Sequence, residues 1–173
     1  MVTLESLSVP PMVEVSTVSN IILDCPFSVT KDEKKGLVLK WYHNSLYIPV
    51  YQWMPPNPPG GLGIMKGKID LNFSISGDPH TQHRALAILA PTIQMSGDYT
   101  CKVATVKNEV SLTASMVVYQ PPETVLITQH HTSSQVVNIT CMVDRCFPKP
   151  QVKIIVGSED YQEGGFDGME LKK

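Results

Sequence analysis

The chain has 173 residues and a net charge of −2, too little positive charge to hold a nucleic-acid backbone or an anionic membrane through its overall field. Apolar residues make up 42% and charged ones 17%, a balance that excludes a disordered or fibrous chain and fits one large or two small globular domains. Fourteen prolines and eleven glycines favour turns over helix, and no apolar run is long enough to span a bilayer.

In chain order, Met1-Val2-Thr3-Leu4-Glu5 lacks the basic start and apolar stretch of a secretory signal. Alternation of period two then sets in. Ile21, Leu23, Cys25 and Phe27 face one way and Ile22, Asp24 and Pro26 the other; Leu39 and Trp41 oppose Val38, Lys40 and Tyr42. Leu71, Phe73 and Ile75 alternate with Asp70, Asn72 and Ser74. Leu86 and Ile88 form a short inward pair, followed by Tyr99, Cys101 and Val103, then Val110, Leu112, Ala114, Met116 and Val118. These runs predict half-buried strands. Turn clusters at 31–36, 55–61 and 76–79 separate them, and no stretch keeps a helical period for ten residues. The expectation is an all-β sandwich or barrel.

Pro121-Pro122 ends the last long strand and marks a domain boundary. Beyond it, Val125 and Ile127, then Val137, Ile139, Cys141 and Val143, then Val152, Ile154 and Val156 predict three more strands. The tail, with Gly157, Gly164, Gly165 and Gly168 and five acidic groups, reads as disordered. The expected organisation is a first domain over 1–120, a partial second domain over 121–156 and a tail over 157–173. Cys25 and Cys101 lie far apart in strand-like runs, which suits a structural disulfide and an oxidising compartment. An oxidised domain without an export signal leads to the expectation that the native N-terminus lies outside this chain.

Cys25, Trp41 and Cys101 stand at the offsets of an immunoglobulin domain, in which two cysteines join the facing sheets and a Trp packs on the bridge. Tyr99 lies two residues before Cys101 within Ser96-Gly97-Asp98-Tyr99-Thr100-Cys101, where that superfamily places its tyrosine corner. Met95 stands where an Asp is usual, so the salt bridge that Asp makes is expected to be missing. The separation of the cysteines leaves room for extra strands at 47–54 and 62–70, as in a V-type domain. Cys141, and the run Phe147-Pro148-Lys149-Pro150-Gln151-Val152-Lys153-Ile154, resemble strand B and the approach to strand C of a constant-like domain. Ile154 replaces the Trp, no partner cysteine follows, and the segment is about half of the ~100 residues such a domain needs.

The two-domain plan resembles the insect beaten-path family and its relatives and, more distantly, vertebrate T-cell costimulatory ligands. Leu39-Lys40-Trp41-Tyr42 followed by Pro49-Val50-Tyr51-Gln52-Trp53 stands closest to the insect group. The resemblance implies a cell-surface or secreted recognition protein that binds another immunoglobulin-type ectodomain, or a second copy, in cell adhesion or axon guidance. It also implies binding through the sheet of strands G, F, C and C′. With Trp41 and Cys101 inward, Val38, Lys40, Tyr42, Lys102 and Ala104 point outward there, and Tyr47, Tyr51 and Trp53 join them from the C′ region. The alternative for Tyr51 and Trp53 is packing beneath the 55–61 loop. Other functional readings are a soluble immune-type receptor or ligand, and a structural intracellular module.

Asn72-Phe73-Ser74 and Asn138-Ile139-Thr140 are glycosylation sequons whose Asn falls on the outward phase. Cys141 and Cys146, with His130 and His131 upstream, fit no common zinc spacing. A local Cys141–Cys146 bridge and an unpaired Cys141 are the competing readings. There is no nucleophile elbow, His-Glu-x-x-His or phosphate loop, and Gly60-Gly61-Leu62-Gly63 reads as a turn. No enzyme activity, metal, cofactor or nucleic-acid partner is expected.

Overall fold

The computed structural model describes residues 1–153. Its contacts divide the chain into a first unit, Met1–Tyr119, and a second that begins at Gln120. The first unit holds β1 (Val2–Leu4), β2 (Met12–Glu14), β3 (Asn20–Leu23), β4 (Phe27–Val29), β5 (Val38–His43), β6 (Pro49–Trp53), β7 (Gly60–Gly61), β8 (Leu86–Leu89), β9 (Gly97–Ala104) and β10 (Glu109–Tyr119). The second holds β11 (Thr124–Ser133) and β12 (Val136–Asp144).

Six strands form one sheet in the order β2-β10-β9-β5-β6-β7. Its β2 edge runs parallel to β10; β10–β9, β9–β5, β5–β6 and β6–β7 are antiparallel. The pairs β3–β8 and β1–β4 carry the other side of the core. Ile21, Leu23, Cys25 and Phe27 are buried while Ile22 is 40% exposed, which is the alternation a half-buried strand requires. Leu39, Trp41, Tyr99, Cys101 and Val103 fill the core from the large sheet. The inward side of β10 is covered at its C-terminal end, where Met116 and Val118 are fully buried, whereas Leu112 stays 39% exposed.

Cys25 and Cys101 are bridged, with Cα atoms 6.4 Å apart. Trp41 lies directly across from Cys101 and donates its indole N–H to the Arg84 carbonyl at 3.1 Å. Tyr99 donates its hydroxyl to the Met95 carbonyl at 2.7 Å, so a buried phenol is satisfied by backbone four residues upstream. Met95 is itself 1% exposed, an apolar side chain at the position where the family carries an Asp. The unit does have a well-formed ion pair elsewhere: Arg84 Nε and Nη2 donate to the two Asp24 oxygens at 2.9 and 3.0 Å.

Two predicted strands are corrected. The segment 71–75 forms no strand. Asp70 Oδ1 accepts the Asn72 N–H at 3.0 Å and the Asp70 carbonyl accepts that of Phe73 at 3.3 Å. This side-chain turn offers the backbone a local partner in place of a ladder, and Leu71 is left 38% exposed. The segment 62–70 contributes no regular strand either. Gly60–Gly61 pairs with β6 and Ile69 makes a single bridge to Ile88 of β8; between them lie a 3₁₀ turn at Gly63–Met65 and the left-handed Gly63 (φ 55°) and Gly67 (φ 76°), which interrupt extended structure.

In the second unit β11 and β12 make one hairpin, closed at its base by a Gln120–Phe147 bridge. Val152 lies outside any strand; Ile154, Val156 and the predicted tail lie outside the described residues. Among the described residues no helix is long and apolar enough to cross a membrane.

Candidate binding face

Register places the candidate residues on the outer side of the large sheet. Directly opposite residues of antiparallel strands share a face, so one row reads Ser111, Lys102, Lys40 and Gln52 across β10, β9, β5 and β6. The row toward one end of the sheet is Glu109, Ala104 and Val38. The row toward the other is Thr113, Thr100, Tyr42 and Pro49. Thr100 and Thr113 share a hydroxyl hydrogen bond of 2.8 Å. Val38, Lys40, Tyr42, Lys102, Ala104 and Glu109 together line a cavity of about 180 Å³. That is below the ~300 Å³ where small-molecule pockets begin.

The charges in this cavity are unequal. Lys102 Nζ meets Glu109 Oε1 at 2.7 Å, and that hydrogen bond to Glu109 holds the Lys102 ammonium above the usual lysine range. Lys40 sits straight across from Lys102, half-buried, with no acidic partner among the described residues. Glu109 was not singled out from the sequence. The turn after β9 pairs Ala104 with Glu109, which brings Glu109 diagonally onto Lys102; only the hairpin register carries that information.

Three of the expected contact residues are corrected. Tyr51 is 2% and Trp53 1% exposed, because Trp41↔Tyr51 and Leu39↔Trp53 are opposite pairs and therefore share the inward side of β5. Tyr51 donates its hydroxyl to the His83 carbonyl at 2.8 Å, and the Trp53 ring meets His83 edge-on with centroids 5.5 Å apart. Tyr42 does lie on the outer face, but flanked by Thr100 and Pro49 it is only 6% exposed. It acts as the cavity's wall, and Tyr51 and Trp53 belong to the core. Tyr47 is 94% exposed between Leu46 (58%) and Ile48 (70%), in the loop joining β5 to β6.

The loops flanking the face are braced by groups in and beside the 31–36 turn. Glu33, in the 3₁₀ turn Lys31–Glu33, is 3% exposed. Its carboxylate accepts from Thr30 Oγ1 at 2.8 Å and Thr105 Oγ1 at 3.1 Å. At the surface, Lys107 pairs with Asp32 at 2.6 Å, and this hydrogen bond holds the Asp32 carboxyl down at about 2. Asn72 and Asn138 are both exposed. Cys141 and Cys146 are unbridged and half-buried. No group of three metal-ligating side chains occurs among the described residues.

No protein-family model matches the chain, and no curated protein matches it. Solved structures do. Bovine butyrophilin is similar at 17% identity and a TM-score of 0.64, over 94% of this chain and 77% of that one. An amphioxus IgVJ-C2 molecule is similar at 17% identity and a TM-score of 0.51, over 75% of this chain and 68% of that one. Strands β6 and β7 beside β5 are the addition that separates variable-type from constant-type sheets, and the bridge, the Trp and the tyrosine corner are all in place. The chain thus has an immunoglobulin-like Greek-key β-sandwich of the V type, followed by a second unit whose described residues form a two-stranded hairpin.

Proposed function

We propose that the chain is the recognition part of a cell-surface or secreted protein and binds another immunoglobulin-type ectodomain through the outer face of β10, β9, β5 and β6. One observation carries this reading: Val38, Lys40, Tyr42, Lys102 and Ala104 converge on one cavity of that face. Val38, Ala104 and Tyr42 give this cavity an apolar part beside Lys40, which has no acidic partner among the described residues, and such a mixture suits contact with a polar and apolar partner. The Cys25–Cys101 bridge favours an oxidising, extracellular setting, in which Asn72 and Asn138 would carry glycans. Cell–cell recognition of the axon-guidance kind, and a constant-like identity for the unit from Gln120 onward, are the finer parts of the proposal.

The test is a binding screen with the full chain, produced through a secretory route and multimerised, against cells that each display one immunoglobulin-type ectodomain. A binder that is lost with Lys40→Glu/Lys102→Glu, at unchanged thermal unfolding, supports the proposal. Binders that all survive that double substitution would place the contact elsewhere and end it.

A further inference from the structure

The two lysines at the centre of the face specify the chemistry of what docks there. Lys40 and Lys102 stand directly opposite each other on adjacent strands. Glu109 lies 2.7 Å from Lys102 and neutralises one of them. The cavity lined by Val38, Lys40, Tyr42, Lys102, Ala104 and Glu109 therefore keeps one net positive charge. It lies at Lys40, between the apolar Val38 and Ala104 on one side and the ring of Tyr42 on the other.

We infer that this cavity receives a carboxylate side chain from a partner polypeptide, an Asp or Glu flanked by apolar or aromatic residues, and that the face does not pair with a second copy of itself. The inference rests on the proposed binding role of the face. A carboxylate placed against Lys40 supplies the acidic partner that Glu109 gives Lys102 and forms a charge-assisted hydrogen bond. A second copy brings the opposite. An isologous contact lays the same patch on itself, so each cavity's surplus ammonium meets the other's with no carboxylate to spare. The space of about 180 Å³ admits a side chain while the apolar walls take up its neighbours, which gives register along with charge.

The experiment is selection of a random dodecapeptide display library on the immobilised full chain, repeated on Lys40→Ser and Glu109→Gln. All three proteins are checked for equal thermal unfolding. The expected result is a wild-type pool enriched in Asp or Glu beside apolar residues. Its synthetic members should bind about tenfold more weakly to Lys40→Ser, the scale of one charged hydrogen bond. They should bind more tightly to Glu109→Gln, in which Lys102 is released, and weaken as salt is raised. A pool that depends on Lys40 or Glu109 but shows no acidic enrichment overturns the carboxylate inference and leaves the face as a binding surface. An empty pool, or one indifferent to every substitution on the face, overturns both. A wild-type dimer in solution that Lys102→Glu converts to monomer overturns the exclusion of a second copy.

Discussion

Tyr51 and Tyr99 are buried phenols that each donate to one backbone carbonyl, of His83 and Met95. An ionised phenol loses that hydrogen and faces the carbonyl oxygen with negative charge. Burial accordingly pushes both phenols well above the ordinary tyrosine range. In the unfolded chain they titrate near ~10. Because the folded values lie higher, the stability tied to their neutral form is whole below pH ~10 and is lost as pH rises from there toward the folded values. The urea midpoint should hold between pH ~7 and ~9 and fall steadily above ~10, with Tyr51→Phe/Tyr99→Phe flattening the fall. A midpoint indifferent to pH up to ~11 would show that these phenols are not held as described. Sequence reading reached Tyr99 through its place beside Cys101. For Tyr51 the sequence leaves surface and core both open, because the alternation of β6 does not say which phase is inward until its pairing with β5 is known. An aromatic beside a proline-rich loop reads equally as surface or core.

At the scale of elements, the loop between β5 and β6 is held at its root. Asn44, in a left-handed conformation with φ 56°, donates its backbone N–H to the Asp98 carbonyl at 2.9 Å, and its side-chain Oδ1 accepts the Asp98 N–H at 2.9 Å. Gly97 has φ 142°, and a Cβ there would fall 2.1 Å from Asn44 Oδ1. Gly97→Ala therefore combines a strained backbone with ejection of the Asn44 side chain, for a cost of about 1–3 kcal/mol. It should also speed hydrogen exchange at Asn44 and Asp98 while leaving β3 and β8 protected. Exchange unchanged at both amides would count against the anchor. The strands joined here were legible because Leu39, Trp41, Tyr99 and Cys101 alternate cleanly. The two predicted strands that failed, at 62–70 and 71–75, failed through local chemistry: left-handed glycines in one and the Asp70 turn in the other. The hairpin β11–β12 shows the reverse limit. Residues 124–143 contain no Asp, Glu, Lys or Arg, and apolar residues on both faces, such as Leu126, Ile127 and Met142, are 46–53% exposed. Strand formation follows from propensity alone there, and alternation says nothing about what covers either side.

Across the whole first unit, one covalent link ties the two halves of the core. The bridge from Cys25 to Cys101 spans a sequence separation of 76, and closing a loop of that length contributes about 4.5 kcal/mol in the chain-entropy picture. Domains of this size carry ~5–15 kcal/mol in total, so the bridge is a large share of the margin. The remaining cohesion comes from the cluster around Trp41, Tyr51, Trp53 and Tyr99, which reduction leaves intact. Reduced protein, or Cys25→Ala/Cys101→Ala, should thus stay folded but lose about 4 kcal/mol of unfolding free energy, read as a lower urea midpoint at an m-value taken from the same curves. Cys141→Ser/Cys146→Ser removes no bridge and should leave the transition of the first unit where it was. Titrating thiols in denatured, unreduced protein separates the cases directly: two reactive thiols are expected, those of Cys141 and Cys146. Four would mean that Cys25 and Cys101 are not joined, and the reading of the chain as an oxidised recognition domain would give way to a structural module of a reducing compartment.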